Sequence, residues 1–320
     1  MIISCACSAK DRLFLTITSE ACVAKDMEPV MPLNFVSNAN ARAISLIPEF
    51  RDLTHDRLPD TFDAIFYKYR FENPYFGYVE VKNDACAPFY MFSNNDDLVA
   101  SHYFWYGKNG YEVASVREWI MRAKKANIVF DIGAHTGLFS LLACRSNQQI
   151  QQVVAFEPTA RASSRILENL IVNSLVGRVK VETQAVSNAA GEVEFMIYVD
   201  EYQIGTGSSF VGTGKNYEVR RRERASTIRI DDYIKSSGLV PDLLKIDVEG
   251  AEEMALEGAQ DLIALKRATF LIEVLPETVD GVLKHLGGYK ILLIDDHNNA
   301  TVPFDRQAVT QYVNILAVPN

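Results

Sequence analysis

From Ala126 to the end of the chain, short apolar runs alternate with stretches that repeat at helical spacing. Runs of four to seven residues suit buried strands, and the longer repeats between them suit covering helices. The spacing predicts strands at Asn127–Asp131, Gln152–Phe156, Arg178–Glu182, Asp242–Asp247, Ala268–Val274, Ile291–Ile294 and Val313–Val318. Helices are predicted at Leu138–Arg145, from an N-cap at Thr159 to about Asn173, at Asp231–Lys235 and at Glu252–Ala264. Gly191–Tyr198 alternates and reads as an added strand, and residues 200–217, rich in Gly, Ser and Thr, read as a loop. Strands joined by helices imply an α/β fold, a doubly wound, seven-stranded, mostly parallel Rossmann-like sheet. The last two strands, with no helix between them, suit an antiparallel pair.

The first part of the chain has another texture. Residues 1 to about 60 show no single period, and Pro29, Pro32, Pro48 and Pro59 argue against any long helix there. Between Phe62 and Tyr111 falls nearly half of the chain's Phe, Tyr and Trp. The first reading is the aromatic core of an accessory segment; the second is a wall or lid beside a substrate pocket. The expected division is an accessory, substrate-side segment at 1–110 and a sheet domain at 111–320.

Composition removes some functions. The net charge of −9 and the pI near 5.2 speak against a nucleic acid partner, which would call for a basic surplus. Five scattered cysteines do not suggest a disulfide framework, and Cys5-Ala6-Cys7 is too close for paired zinc ligands. Lys10, Asp11 and Arg12 interrupt the N-terminal apolar stretch, and no uncharged run approaches the ~20 residues of a membrane span. The expectation is a soluble, cytoplasmic protein, with self-association into a homo-oligomer left open.

Acids stand at the carboxyl ends of the predicted strands: Asp131, Glu157, Asp247 and Glu273. In an open α/β sheet that edge is where ligands bind. The turn Asp131-Ile132-Gly133-Ala134-His135-Thr136-Gly137 joins the first strand to the first helix. Its acid before the first Gly disfavours a phosphate, unlike the dinucleotide turn, and suits a cationic cofactor such as S-adenosylmethionine. Glu157, at the end of the second strand, can accept from both hydroxyls of a ribose.

Several stretches in order resemble the FkbM family of methyltransferases. They are Asp131–Gly137, Ala155-Phe156-Glu157-Pro158, Asn169 and Asn173 in the following helix, Leu244-Lys245-Ile246-Asp247-Val248-Glu249-Gly250-Ala251-Glu252, and Leu271-Ile272-Glu273. The resemblance spans about residues 110 to 300. It implies a class I methyltransferase domain at 111–320 and S-adenosylmethionine as cofactor, with methyl transfer to a hydroxyl of a secondary metabolite or glycan. The expected cofactor wall is Asp131, Gly133, Ala134, His135, Gly137, Glu157, Pro158, Gln184, Ala185 and Asp247. One departure is His135, which stands where the family turn often carries Asn; it either makes the same loop hydrogen bonds or acts as a base.

Catalysis needs an aligned acceptor and a group to take its proton. Asp247 and Glu249 are the candidate bases, with His135 a third. Against this stands a reading in which Asp247 serves the cofactor and Glu249 caps the next helix. Asp295-Asp296-His297-Asn298 could supply oxygens to a divalent metal, although a solvated turn is the first reading, and no metal ligand is assigned. Arg220-Arg221-Arg222-Glu223-Arg224 reads as a solvated basic face, or as a grip on an acidic substrate. The competing function is a nicotinamide-dependent oxidoreductase with a similar sheet. A nucleic acid methylase is disfavoured because the Pro-Pro-aromatic and Pro-Cys motifs are missing.

Overall fold

In a computed structural model of the chain, residues 35–54, 63–198, 203–204 and 219–320 are described, and Val36–Asn320 form one compact unit. Cys5, Cys7, Cys22, Pro29, Pro32, Pro59, Phe62 and most of the predicted loop 200–217 lie outside the described residues.

The elements run in the order α1 (Phe35–Leu53), α2 (Ala64–Glu72), β1 (Phe76–Asn83), β2 (Cys86–Asn94), α3 (Leu98–Tyr106), α4 (Val113–Ala123), β3 (Ile128–Ile132), α5 (Leu138–Ser146), β4 (Gln152–Phe156) and α6 (Ala160–Val172). Then come β5 (Val179–Glu182), β6 (Ala185–Val186), β7 (Gly191–Ile197), β8 (Arg221–Ile228), α7 (Ile230–Ser237), β9 (Leu243–Ile246), α8 (Glu252–Glu257) and α9 (Gln260–Ala264). The chain ends with β10 (Thr269–Val274), α10 (Val279–Leu283), β11 (Tyr289–Asp295), β12 (Ala300–Pro303) and β13 (Val313–Pro319).

The main sheet has the order β12-β11-β13-β10-β9-β3-β4-β5. Strands β10, β9, β3, β4 and β5 pair in parallel, whereas β13 pairs antiparallel with both β10 and β11. All seven predicted strands are present and the antiparallel end is as expected. The eighth, β12, is a short edge strand. Strand order reverses between β9 and β3, which is the switch point of a doubly wound fold.

Period-two alternation splits the sheet's side chains between two cores. Val129, Val153, Leu243, Leu271 and Leu316 pack on one face with α4 and α5; Phe130, Val154, Leu244, Phe270 and Ile315 pack on the other with α7 to α10. The first core is continuous with the aromatic segment. Phe50, Phe66, Phe89 and Trp105 are buried in it, with rings such as Phe50 and Trp105 5.2 Å apart.

Four local expectations are corrected. α1 continues through Pro48, because burial of Ala43 and Phe50 outweighs one lost helical hydrogen bond. Gly191–Ile197 is not part of the main sheet; it pairs antiparallel with the Arg-rich β8 in a separate three-stranded sheet. The predicted helix Glu252–Ala264 is two helices, α8 and α9, broken at Gly258, whose missing side chain allows the Ser187 carbonyl within 2.3 Å of a would-be Cβ. Thr159 does occupy the N-cap of α6, but its hydroxyl donates to Glu157 at 2.6 Å and not to the helix.

Candidate active site

The Gly133–Gly137 turn follows β3 directly and is held from both sides. Gly133 and Ala134 donate their amides to the Phe156 carbonyl, each at 3.0 Å, and the Asp247 amide donates to Ile132 at 3.0 Å. Gly133 has φ +77, and a Cβ there would lie 1.7 Å from the Asp247 carbonyl oxygen. Only glycine fits between the first turn and the end of β9. His135 also has positive φ, +50, a region that Asn and His enter more readily than most residues, which is why His can stand in an Asn place. Its ring nitrogens lie 3.4 Å from the Ile204 carbonyl and 3.4 Å from the Thr136 hydroxyl, so the ring serves the loop. Gly137 begins α5 at φ +92.

Glu157 stands just past β4 and is buried. Its Oε2 accepts from the His135 amide at 2.9 Å, and its Oε1 accepts from the Thr159 amide at 2.9 Å as well as from that residue's hydroxyl. A carboxylate has about four lone-pair sites, so Oε2 keeps room for a further donor. Burial pushes its pKa up, while the Thr159 and His135 donors act against that. Pro158 follows it, half-buried, while Gln184 follows the end of β5 and Ala185 opens β6.

The face carrying Val129 and Leu243 turns polar towards the carboxyl ends of the strands. Asp131 pairs in register with Lys245, Lys245 with Leu271, and Glu273 with Asn314. Since neighbours in register share a face and so do residues two apart on a strand, Asp131, Lys245, Glu273 and Asn314 lie on one face in two adjacent rows, under α4 and α5. Lys245 is buried over the Phe139 ring and bonds the Asp247 carboxylate. Burial would lower its pKa, but Asp247 and Glu112 beside it hold it raised. Asp131 is 1% exposed; its Oδ2 accepts from the Ser140 hydroxyl at 2.7 Å, and its Oδ1 has no partner among the described residues. Burial raises its pKa.

Asp247, Glu249 and Glu273 have carboxylate oxygens within 4.8 Å of one another. The Glu273 carboxyl titrates well above its ordinary value, first because of burial and then because of Asp247, Glu249 and Glu112. Glu249 has φ +53 in the turn after β9. The N-cap of α8 is Ala251, with no side-chain cap, and Glu252, the first residue of the helix, folds back so that its Oε1 accepts from the amides of Val248 at 3.1 Å and Gly250 at 3.0 Å.

The sequence reading missed Glu112 and Asn314. Glu112 precedes α4 with φ +36, and burial pushes its carboxyl up to about 7. Asn314 Nδ2 donates to it at 3.3 Å. A lone Asn inside the apolar run Val313–Val318 was the one available signal. Asp295-Asp296-His297-Asn298 does not assemble as a metal site. Asp295 closes its own turn onto Asn298, and Asp296 accepts from the Ala114 and Ser115 amides at the start of α4. The basic run is spread along β8, where Arg221 pairs with Glu223 and Arg222 with Glu194.

Asn169 and Asn173 tie this edge to the aromatic segment. Asn169 accepts from the Phe92 amide at 2.7 Å and donates to the Thr136 carbonyl at 2.8 Å. Asn173 bonds both the amide and the carbonyl of Tyr90. Two α6 amides thus occupy the outer backbone groups of β2 and link that strand to the glycine turn.

Comparison with known proteins agrees with the motifs. The family profile of the methyltransferase FkbM domain matches residues 131–291, about half of the chain. The 31-O-demethyl-FK506 methyltransferase FkbM of Streptomyces tacrolimicus is 26% identical over 209 residues, covering 56% of this chain and 75% of that protein. The methyltransferase sdnD of Sordaria araneosa is 29% identical over 160 residues, 42% of this chain and 60% of that one. Among solved structures, a methyltransferase FkbM from Methylobacillus flagellatus KT is similar at 15% identity and a TM-score of 0.43, over 87% of this chain but only 60% of its own length.

Proposed function

The chain belongs to the FkbM methyltransferase family, and on that premise we propose that it transfers the methyl group of S-adenosylmethionine to a hydroxyl of a small metabolite or glycan. The observation that carries this reading is the junction at the β3–β9 switch point. The glycine turn, the Glu157 carboxylate and the Asp247 carbonyl meet there at one strand edge. Membership of a methyltransferase family sets aside the nicotinamide-dependent oxidoreductase.

The residues present fit the proposed cofactor. Glu157 Oε2 keeps a place for a ribose hydroxyl, and the unpartnered Oδ1 of Asp131 suits a cationic group at the amino-acid end. Gly133, Ala134, His135 and Gly137 would line the turn, and Pro158, Gln184 and Ala185 the side beyond Glu157. When bound, S-adenosylmethionine supplies a methyl carbon made electrophilic by its sulfonium.

The chain's own part is to place the acceptor and accept its proton. Lys245 bonds the Asp247 carboxylate and so fixes its orientation at the end of β9. Asp247 is the proposed base and Glu249, two residues on, the alternative. His135 is the weakest of the three, since its ring is turned to Ile204 and Thr136. The aromatic segment would wall the acceptor side, because it reaches the glycine turn through Asn169.

The test is to incubate the chain with isotopically methyl-labelled S-adenosylmethionine and a panel of hydroxylated metabolites and sugars. A product one methyl heavier, with the label on oxygen, is expected. Labelling on nitrogen or carbon only would contradict the oxygen acceptor.

A further inference from the structure

Glu112 is an acid at this site to which the proposed chemistry gives no task. It stands half-buried before α4 with φ +36, a left-handed conformation that a residue with a side chain keeps only where its surroundings hold it. The clamp is Asp296. From the turn after β11 its carboxylate accepts from the amides of Ala114 at 2.8 Å and Ser115 at 2.9 Å, and from the Ser115 hydroxyl. The start of α4 is thereby fixed over the polar end of the sheet face.

A second element reaches the same carboxylate. Asn314 is 4% exposed in an otherwise apolar strand, stands in register with Glu273, and donates from Nδ2 to Glu112 Oε2 at 3.3 Å. A buried amide is a cost to an apolar core, and the carboxylate it holds is its use.

On the other side is Lys245. Its ammonium lies over the Phe139 ring and bonds Asp247, and the charge of Glu112 acts on it next after that of Asp247. One buried cation thus stands between two carboxyl groups, at the end of β9 and at the start of α4. Tyr111, Asp296 and Glu273 also face Glu112.

We propose that Glu112 is a positioning residue for methyl transfer, acting through Lys245 on the proton acceptor Asp247. A proton arriving at Asp247 meets the repulsion of the adjoining ammonium, and an ionised Glu112 offsets that repulsion. A protonated Glu112 does not. Burial pushes the Glu112 carboxyl up to about 7; Lys245 works against the rise, while Asp296 and Asp247 add to it. The change between the two states therefore falls near neutral pH, and turnover should rise as pH passes through about 7. This rests on the reading of Asp247 as the base.

The test has two parts, and the first needs neither cofactor nor acceptor. In the full chain labelled with 13C at the Glu carboxyls, the Glu112 signal is followed by NMR from about pH 4 to 9. It is assigned by its loss in Glu112→Gln or Glu112→Asp. A midpoint near 7 is expected, moving down in Asp247→Asn and up in Lys245→Met. If Lys245→Met does not fold by circular dichroism, Asp247→Asn decides alone. A midpoint in the ordinary carboxylate range, or one that Asp247→Asn leaves in place, overturns the proposal. In the second part kcat is followed over the same range. Glu112→Gln should lose the rise near pH 7 and fall roughly tenfold at about pH 8, with the KM for S-adenosylmethionine unchanged, while Glu112→Asp keeps the rise. A rise near pH 7 that survives in Glu112→Gln also overturns the proposal. Coupled titration in a chain that transfers no methyl group would keep the coupling and contradict the proposed function.

Discussion

Gly133→Ala is the substitution that most directly probes how the fold builds its site. The new Cβ would lie 1.7 Å from the Asp247 carbonyl oxygen and 2.8 Å from its carbon. An ordinary carbon–oxygen contact is about 3.3 Å or more, so one of the two backbones must retreat by roughly 1.5 Å. Neither moves without loss. The turn is tied to Phe156 by two amides, and Asp247 is tied to Ile132 by its own. The positive φ of +77 adds ~1–2 kcal/mol for any L side chain, and overpacking of this kind adds ~1–3 kcal/mol. A total on the order of 2–5 kcal/mol in a chain of this size predicts a fall in melting temperature of roughly 4–15 °C. In the fraction that stays folded, Asp247 is displaced by about 1 Å, which should reduce turnover about 10²-fold. The assay is thermal unfolding by circular dichroism, with methyl-transfer rates at a temperature where the variant is folded. A variant within 1 °C and twofold of wild type would refute the close approach and the role given to it.

Three further outcomes are expected. Asn169→Ala leaves the Phe92 amide and the Thr136 carbonyl without their partner, so urea unfolding should show a loss of ~1–3 kcal/mol, and an unchanged midpoint would contradict the tie between β2 and the turn. At least one of Asp247→Asn and Glu249→Gln should lower kcat by ~10²–10⁴-fold with cofactor affinity nearly unchanged; near wild-type kcat in both would move the base elsewhere. Burial lowers the His102 pKa to about 3 from 6.5, so only the unfolded chain takes up its proton as pH falls below 6.5. Its contribution is therefore full above pH 6.5 and should decline by about 2 kcal/mol between pH 7 and 5. Glu112 and Glu252, raised to about 7 by burial, act in the opposite direction over the same range. The measurement is thus the difference in pH dependence between wild type and His102→Leu, and identical slopes would contradict it.

The seven core strands were legible because buried parallel strands are short apolar runs and little else imitates them between helices. β12 was not, since Ala300–Pro303 is a half-exposed edge strand that follows a polar turn. Gly191–Ile197 announced a strand but not its partner, because the run Arg220–Arg224 reads as a solvated basic face until the register with β7 is known. The glycine turn and the strand-end acids were legible from spacing along the chain. Glu112 and Asn314 were not, for they reach the same face from elements far apart in sequence. A carboxylate before a helix and a lone amide in a strand carry no local sign that they meet. Asn169 and Asn173 entered through family resemblance, and their bonds to β2 supply the physical reason for that pattern.

The central claim is that this strand edge holds S-adenosylmethionine, and calorimetric titration of the full chain with that cofactor tests it most directly, with NAD+ titrated in parallel. One saturable site for S-adenosylmethionine is predicted, with no heat from NAD+. In Glu157→Ala the affinity should fall about tenfold or more, on the scale of one lost charge-assisted hydrogen bond. Thermal unfolding of the same variant separates that loss from loosening of the His135 and Thr159 loops, which Glu157 also holds. Saturable binding of NAD+ without binding of S-adenosylmethionine, or full affinity in Glu157→Ala, would contradict the claim.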